Sequence, residues 1–310
     1  MSSRRILTIG ECMVEMAPRE DGAYHRNFAG DTFNTAWYLR RLLGADDVVD
    51  YCSAIGVDGI SQAMLAFMQA AGIGTGHLRR LEDATVGLYM IELANGERSF
   101  SYWRGQSAAK RLADDRQFLL EAVRGRDLIL FSGITLAILS PAGRQQLLEV
   151  LAQARDAGSL IAFDPNMRAR LWPDRDSMCN AVSEAAKVAD IVLPSFDEDG
   201  PNFNDANPDA TIIRYRKAGA LTVVVKNGAG RVHAFDATQG PVTFDPVPVA
   251  DLVDTTAAGD SFNAGFLSAR LSGVAMAEAL AQGAAVSGQV IRKRGALVEI
   301  ENIPENIVVR

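Results

Sequence analysis

Cysteine and histidine are scarce in this chain, three of each among 310 residues. Cys12, Cys52 and Cys179 are far apart, odd in number and form no CxxC pair. That excludes a disulfide framework and favours reduced thiols inside a cell. His25, His77 and His233 are equally scattered, so neither residue type suggests a structural zinc site. Basic runs are also missing: 31 Lys and Arg against 38 Asp and Glu leave a formal charge of −7, and a nucleic-acid partner is not expected. No apolar stretch approaches the roughly 18 residues that a membrane span needs. The start, SSRRILTIGECMVEMA, meets Glu11 early and shows no small-residue cleavage site. It reads as a first strand and not as an export signal, and a cytoplasmic location is expected.

What is present is ordinary globular content, 48% hydrophobic and 22% charged, so the chain is expected to fold throughout. ILTIG at 6–10 predicts a strand, and NTAWYLRRLLG at 34–44 a helix with a glycine stop. The next pair is a strand at 48–56 and a helix at 61–72. A different pattern follows, two runs of strand formers at 85–93 and 97–104 joined at Asn95-Gly96, which predicts a hairpin. Strands at 127–133, 159–166, 190–195 and 221–228 then alternate with helices at 141–157, 175–188 and near 208–218. Peripheral strands at 230–237 and 241–249 and helices at 259–271 and 275–293 complete the reading. The alternation predicts an α/β fold, a mostly parallel central sheet with helices on both faces. No internal repeat, heptad or low-complexity linker is evident.

In such folds ligands collect where the carboxyl ends of the strands meet. Polar clusters recur there: Gly10-Glu11, Ser132-Gly133, Asp164-Pro165-Asn166-Met167-Arg168, Ser195 to Glu198, and Lys226-Asn227-Gly228. Turn chemistry alone explains any one of them; their recurrence points to a site. DTTAAGD at 254–260 sets small residues before a helix, whose free N–H groups form a nest for anionic oxygen. Asp260 has two readings, an N-terminal helix residue favoured by the macrodipole or a base that accepts the proton of an attacking alcohol. Gly30, Asp31 and Asn34 in AGDTFNTA suit sugar hydroxyls or a helix cap. Tyr89, Tyr102 and Arg104 on the hairpin suit a cover over a polyol or a subunit contact. NGAG at 227–230 is neither a Walker loop nor a dinucleotide fingerprint, and GDSFNAG is not a hydrolase elbow.

With AGDTFNTAWYLRRLLG at 29–44 and DTTAAGDSFNAGFL at 254–267, the chain resembles the ribokinase-like (PfkB) carbohydrate kinases. IGECMVEM, YWRGQSAAK, SGITLAILSP and FDPNMRARLW extend the likeness over the whole chain and make it strongest to the branch acting on 2-keto-3-deoxygluconate. The resemblance implies one ribokinase-like domain over 1–310 with a small β lid from segments near 12–28 and 85–105. It also implies phosphate transfer from ATP, with Mg²⁺, to the terminal hydroxyl of that sugar acid. By this likeness Asp260 is the catalytic base beside an anion hole of Ala258, Gly259 and Asp260. Gly30, Asp31, Asn34, Tyr89, Tyr102, Arg104 and Arg168 contact substrate, the two arginines offering forks for its carboxylate. Asn166, Lys226, Gly228, Gly230, Gly259, Gly283 and Ser287 contact nucleotide, and Glu198 serves magnesium through water. Ala258 stands where the family has glycine, and Ser195 opens a segment that relatives begin with asparagine. A kinase for a neutral ketose or another sugar acid is the near alternative, a non-catalytic sugar or nucleotide sensor the far one. The hairpin's outward aromatics suggest a homodimer through the lid.

Overall fold

The computed structural model describes residues 3–19, 21–94 and 97–301. Along the chain, β1 (Arg5–Ile9) leads to a hairpin of β2 (Met13–Pro18) and β3 (Tyr24–Ala29), then α1 (Asp31–Leu42), β4 (Val48–Gly56), α2 (Gly59–Ala70) and β5 (Gly74–Leu81). A second hairpin, β6 (Leu88–Ala94) with β7 (Glu97–Trp103), precedes α3 (Arg116–Val123), β8 (Leu128–Ser132), α4 (Gly133–Ile138), α5 (Pro141–Asp156) and β9 (Leu160–Asp164). The remainder is α6 (Arg175–Val188), β10 (Ile191–Val192), α7 (Phe196–Phe203), α8 (Pro208–Ala218), β11 (Thr222–Val225), β12 (Val232–Asp236), β13 (Gly240–Phe244), α9 (Ala258–Leu271) and α10 (Met276–Val290). The expected turn at Asn95-Gly96 lies outside the described residues.

The large sheet has nine strands in the order β13-β12-β11-β10-β9-β8-β1-β4-β5. From β5 to β11 every pairing is parallel, and β12 and β13 finish one edge antiparallel. Its strands are apolar on both faces because helices cover both. In β8, Leu128 and Leu130 join the core under α1, α9 and α10, while Ile129 and Phe131 join the core under α4, α5 and α6. Helix starts follow local chemistry: Asp58 accepts from the Ile60 and Ser61 amides, and Ser140 and Asn207 cap helices whose first residue is proline.

The strand predicted at 6–10 is β1, and Met13–Pro18 pairs elsewhere, as β2. The strand predicted over 241–249 stops at Phe244, because Pro246 and Pro248 cannot donate to a ladder.

A second sheet has four strands in the order β3-β2-β6-β7. Its two hairpins leave the large sheet after β1 and after β5 and meet through the parallel pair β2–β6. Both departures are at carboxyl ends, so the small sheet stands over the edge where strand-end residues converge. Its register aligns Asn27, Glu15, Tyr89 and Tyr102 in one row, and such partners share a face.

Helices α9 and α10 approach so closely that a Cβ on Gly265 would lie 2.8 Å from Val286 Cγ2 and 2.9 Å from the Gly283 Cα. Gly265→Ala is therefore expected to cost about 1–3 kcal/mol through overpacking. Urea unfolding should show a lower midpoint with an unchanged slope.

Candidate active site

Strand ends and helix starts together deliver the central cluster. Asp164 closes β9 and is buried. Lys226, just past β11, directs its Nζ to Asp164 Oδ2 at 3.3 Å and Asn263 Oδ1 at 3.1 Å, and Asn263 Nδ2 donates to Asp164 Oδ2 at 2.6 Å. The buried ammonium is thereby paired and hydrogen-bonded, as its desolvation demands. Asp31, the first residue of α1, accepts from Asn166 Nδ2 at 2.9 Å. Burial pushes its carboxyl up, the Ser132 hydroxyl and Thr32 amide hold it down, and Asp164 pushes it up again.

Asp260 stands in the first turn of the 14-residue α9. Asn34 Nδ2 donates to its Oδ2 at 2.8 Å, and the Thr35 hydroxyl donates to its backbone carbonyl at 3.3 Å. Desolvation and the neighbouring Asp31 raise its carboxyl to about 7, with Asn34 and Lys226 opposing and Asp164 adding to the rise. Asp260 Oδ1 carries no hydrogen bond among the described residues. Just before it, Ala257 takes φ 58°, ψ 17° as the N-cap of α9, a left-handed conformation that an alanine seldom adopts and that costs on the order of 1 kcal/mol. That turn sends the Ala258 amide to the Thr255 carbonyl at 3.1 Å. The nest expected from Ala258, Gly259 and Asp260 is thus narrower: only the last two amides lack a backbone acceptor among the described residues.

Gly30 is required by close approach, since a Cβ there would lie 2.0 Å from the Glu11 carbonyl oxygen. In the small sheet, Tyr89 is buried and its hydroxyl donates to Glu15; burial and Glu15 push that phenol far up. Tyr102 stacks on Tyr89 with centroids 5.7 Å apart, and Arg170 lies over the Tyr102 ring at 4.1 Å. Met13, Tyr89 and Ile91 form a small cluster against which Tyr102 and Ala257 pack, so this face meets the start of α9.

The two arginines expected at the substrate carboxylate each have a glutamate beside them. Arg104 is bonded to Glu11 in a pair whose side chains are 10% and 1% exposed. Arg168 is bonded to Glu198, which also accepts the Met167 amide at 2.8 Å. In the first pair Arg104 Nε and Glu11 Oε1 are buried without a hydrogen-bond partner among the described residues.

The residues expected around a nucleotide divide. Lys226 Nζ lies 3.5 Å from where a Gly259 Cβ would be, so ammonium and bare backbone adjoin. Gly228 is exposed with φ 56°, and the Gly230 amide closes its turn on the Asn227 carbonyl at 2.8 Å. Ser287 is half-buried on α10. Gly283 is buried in the α9–α10 crossing, where a Cβ would meet the Phe262 carbonyl at 3.0 Å. Asn166 faces Asp31. Free amides beside an ammonium and flexible glycines fit a polyphosphate. Among the described residues no three His, Cys, Asp or Glu side chains are grouped to hold a metal, and both Glu198 oxygens are engaged. A magnesium ion here would rest mainly on nucleotide oxygens and water, as its chemistry allows.

Residue-by-residue reading passed over Asn263, Glu15 and Arg170 as site residues and gave Asp164 and Glu11 only as members of polar strand-end clusters. Asn263 is three residues from Asp260, hence on the same helix face, which is a usable signal; the pairing of Glu11 with Arg104 spans two sheets and leaves no local trace.

The pfkB family carbohydrate kinase profile matches residues 3–303. A 2-dehydro-3-deoxygluconokinase of Dickeya dadantii (strain 3937) is 37% identical, covering 98% of this chain and 100% of that one. Among solved structures, a PfkB protein from Polaromonas sp. JS666 is 28% identical with a TM-score of 0.81, covering 94% of this chain and 96% of that one. A fructokinase with bound ATP from Xylella fastidiosa shares the fold at 23% identity and a TM-score of 0.80, covering 94% and 93%. With its signature residues gathered at one sheet edge and nearly its whole length matched, this chain belongs to the pfkB family of carbohydrate kinases.

Proposed function

We propose that this protein transfers the terminal phosphoryl group of ATP to the terminal hydroxyl of 2-dehydro-3-deoxygluconate (2-keto-3-deoxygluconate), giving the 6-phosphate. The observation that carries the reading is Asp260: a carboxyl raised to about 7, one oxygen fixed by Asn34, at the head of a helix with two free amides. The choice of sugar acid is supported by the relative that is 37% identical over nearly the whole chain.

ATP supplies the phosphoryl group when bound. Asp260 Oδ1 accepts the hydroxyl proton as the acceptor oxygen bonds to phosphorus and the bridging bond to ADP breaks. The amides of Gly259 and Asp260, with Lys226 near, stabilise charge on the transferring group. Asp31 and Asn34 hold acceptor hydroxyls, and Gly30 lets backbone approach them. Gly228, Gly230 and Ser287 border the nucleotide, and Glu198 reaches magnesium through water only by giving up a bond it now makes. The small sheet, with Tyr89 and Tyr102, acts as a lid that excludes water. The free thiols of Cys12, Cys52 and Cys179 suit a cytoplasmic location, and no helix among the described residues is long and apolar enough to cross a membrane.

Asp260→Asn is expected to lower kcat by about 10²–10⁴-fold with ATP affinity retained; near-normal turnover would remove Asp260 as base. In the wild type, kcat/KM should fall about tenfold per pH unit below about 7, because the base must be ionised. Stability runs the other way. A carboxyl raised from 3.8 to about 7 contributes stability that is complete below its unfolded value and is lost as pH rises through the folded one. Asp260→Asn should therefore melt above the wild type at about pH 8 and match it at about pH 4.

The lid's other face exposes Trp103 at 59% and Tyr24 at 38%, which supports pairing of two lids in a homodimer. Sedimentation should give twice the chain mass for the wild type and the single-chain mass for Trp103→Arg.

A further inference from the structure

Lys226 is a cation beside the free amides of α9, and it has a carboxylate within reach: Asp164 Oδ2 lies 3.3 Å from its Nζ. A lysine committed to that partner has little charge left for a phosphate. Asn263 changes the balance. It is fully buried on α9, one turn past Asp260 and on the same face of the helix. Its Nδ2 donates to the same Asp164 Oδ2 at 2.6 Å, a shorter bond than the lysine makes, and its Oδ1 accepts from Lys226 Nζ at 3.1 Å. The amide thus takes a share of Asp164 that the lysine would otherwise have. An ammonium carries three N–H bonds; among the described residues Asp164 and Asn263 accept two, and the third is left over. Nζ sits 3.5 Å from where a Gly259 Cβ would be, next to the two amides that lack a backbone acceptor among the described residues.

We propose that Asn263 is a positioning residue for phosphoryl transfer: it acts through Lys226, keeping the ammonium short of full pairing with Asp164 and close to the head of α9, where charge develops on the transferring group. The inference rests on the proposed kinase reaction and adds to it a residue with no exposed surface. Asp260 faces Asp31 and Tyr38 from α1, Asp164 from β9 and Lys226 from the end of β11. Of these groups only the lysine favours the ionised base. A lysine drawn over to Asp164 supports Asp260 less, and the base then ionises at higher pH. The transition state also loses a donor aimed at charge that is still small in the ground state, so kcat suffers more than KM.

The test follows kcat and KM against pH for wild type, Asn263→Leu, Lys226→Met and the double variant, with ATP and 2-dehydro-3-deoxygluconate. Asn263→Leu is expected to lower kcat about 10- to 100-fold, the loss of a hydrogen bond to a charged group, with KM for both substrates within about threefold of wild type. The acidic limb of its kcat/KM profile should move up by about half a pH unit or more. In the Lys226→Met background the same change should alter kcat by less than about twofold, because the residue it acts through is gone. Should Asn263→Leu fail to fold, Asn263→Ser, shorter than asparagine and unable to span the two partners, carries the same comparison with the same expected result. An equal loss of kcat in both backgrounds overturns the proposal and leaves Asn263 a packing residue of α9; so does an acidic limb that stays in place. Wild type that fails to phosphorylate the acid overturns this proposal together with the proposed function, whereas active wild type with additive variants overturns this proposal alone.

Discussion

A carboxylate deprived of water at the head of α9 is the constraint that organises this molecule. Helix geometry favours an anion there, but burial and two further aspartates, Asp31 and Asp164, work against it. The opposing groups come from separate parts of the chain: Asn34 from α1 and Lys226 from the end of β11. Only a sheet that brings its strands to a common edge can assemble them. The parallel order of β9, β10 and β11 beside β8 and β1 does so, and the helices packed on both faces hold the edge in place.

Strain concentrates at the same edge. Ala257 is left-handed and Asn166 has φ 32°; both flank residues that bear charge, Asp260 and Asp164. Neither conformation is what its residue type prefers. At Ala257 the consequence is visible, since the turn occupies the Ala258 amide and leaves those of Gly259 and Asp260 without a backbone acceptor among the described residues.

Much of the architecture was legible because its strands are buried on both faces and its helices carry clear stripes, as in Met64 and Met68 or in Leu147, Val150 and Leu151. Antiparallel edge strands and the second hairpin announced themselves through proline and turn residues. Helix α7 did not: Gly200 and Pro201 lie within Phe196–Phe203, and both are helix breakers by propensity. The departure of β2 into another sheet leaves no mark in its own residues, since Met13, Val14 and Met16 suit either sheet equally, and only the family resemblance implied it. Within the site, Asp260, Asn34 and Lys226 could be picked out near glycine-rich turns. Glu11 and Glu198 as partners for arginines could not, because side chains 93 and 30 positions apart meet only after folding.

The parallel joint between β2 and β6 has a consequence for the order in which the chain is made. The β2–β3 hairpin emerges early, with Met13, Val14 and Phe28 as apolar side chains, but one of its edges stays unpaired until Leu88–Ala94 has been synthesised. Closing so long a loop is slow and pays its entropy late. The small sheet thus cannot be completed before β6 has emerged, and a nascent chain stalled before β6 presents an open strand edge to its neighbours.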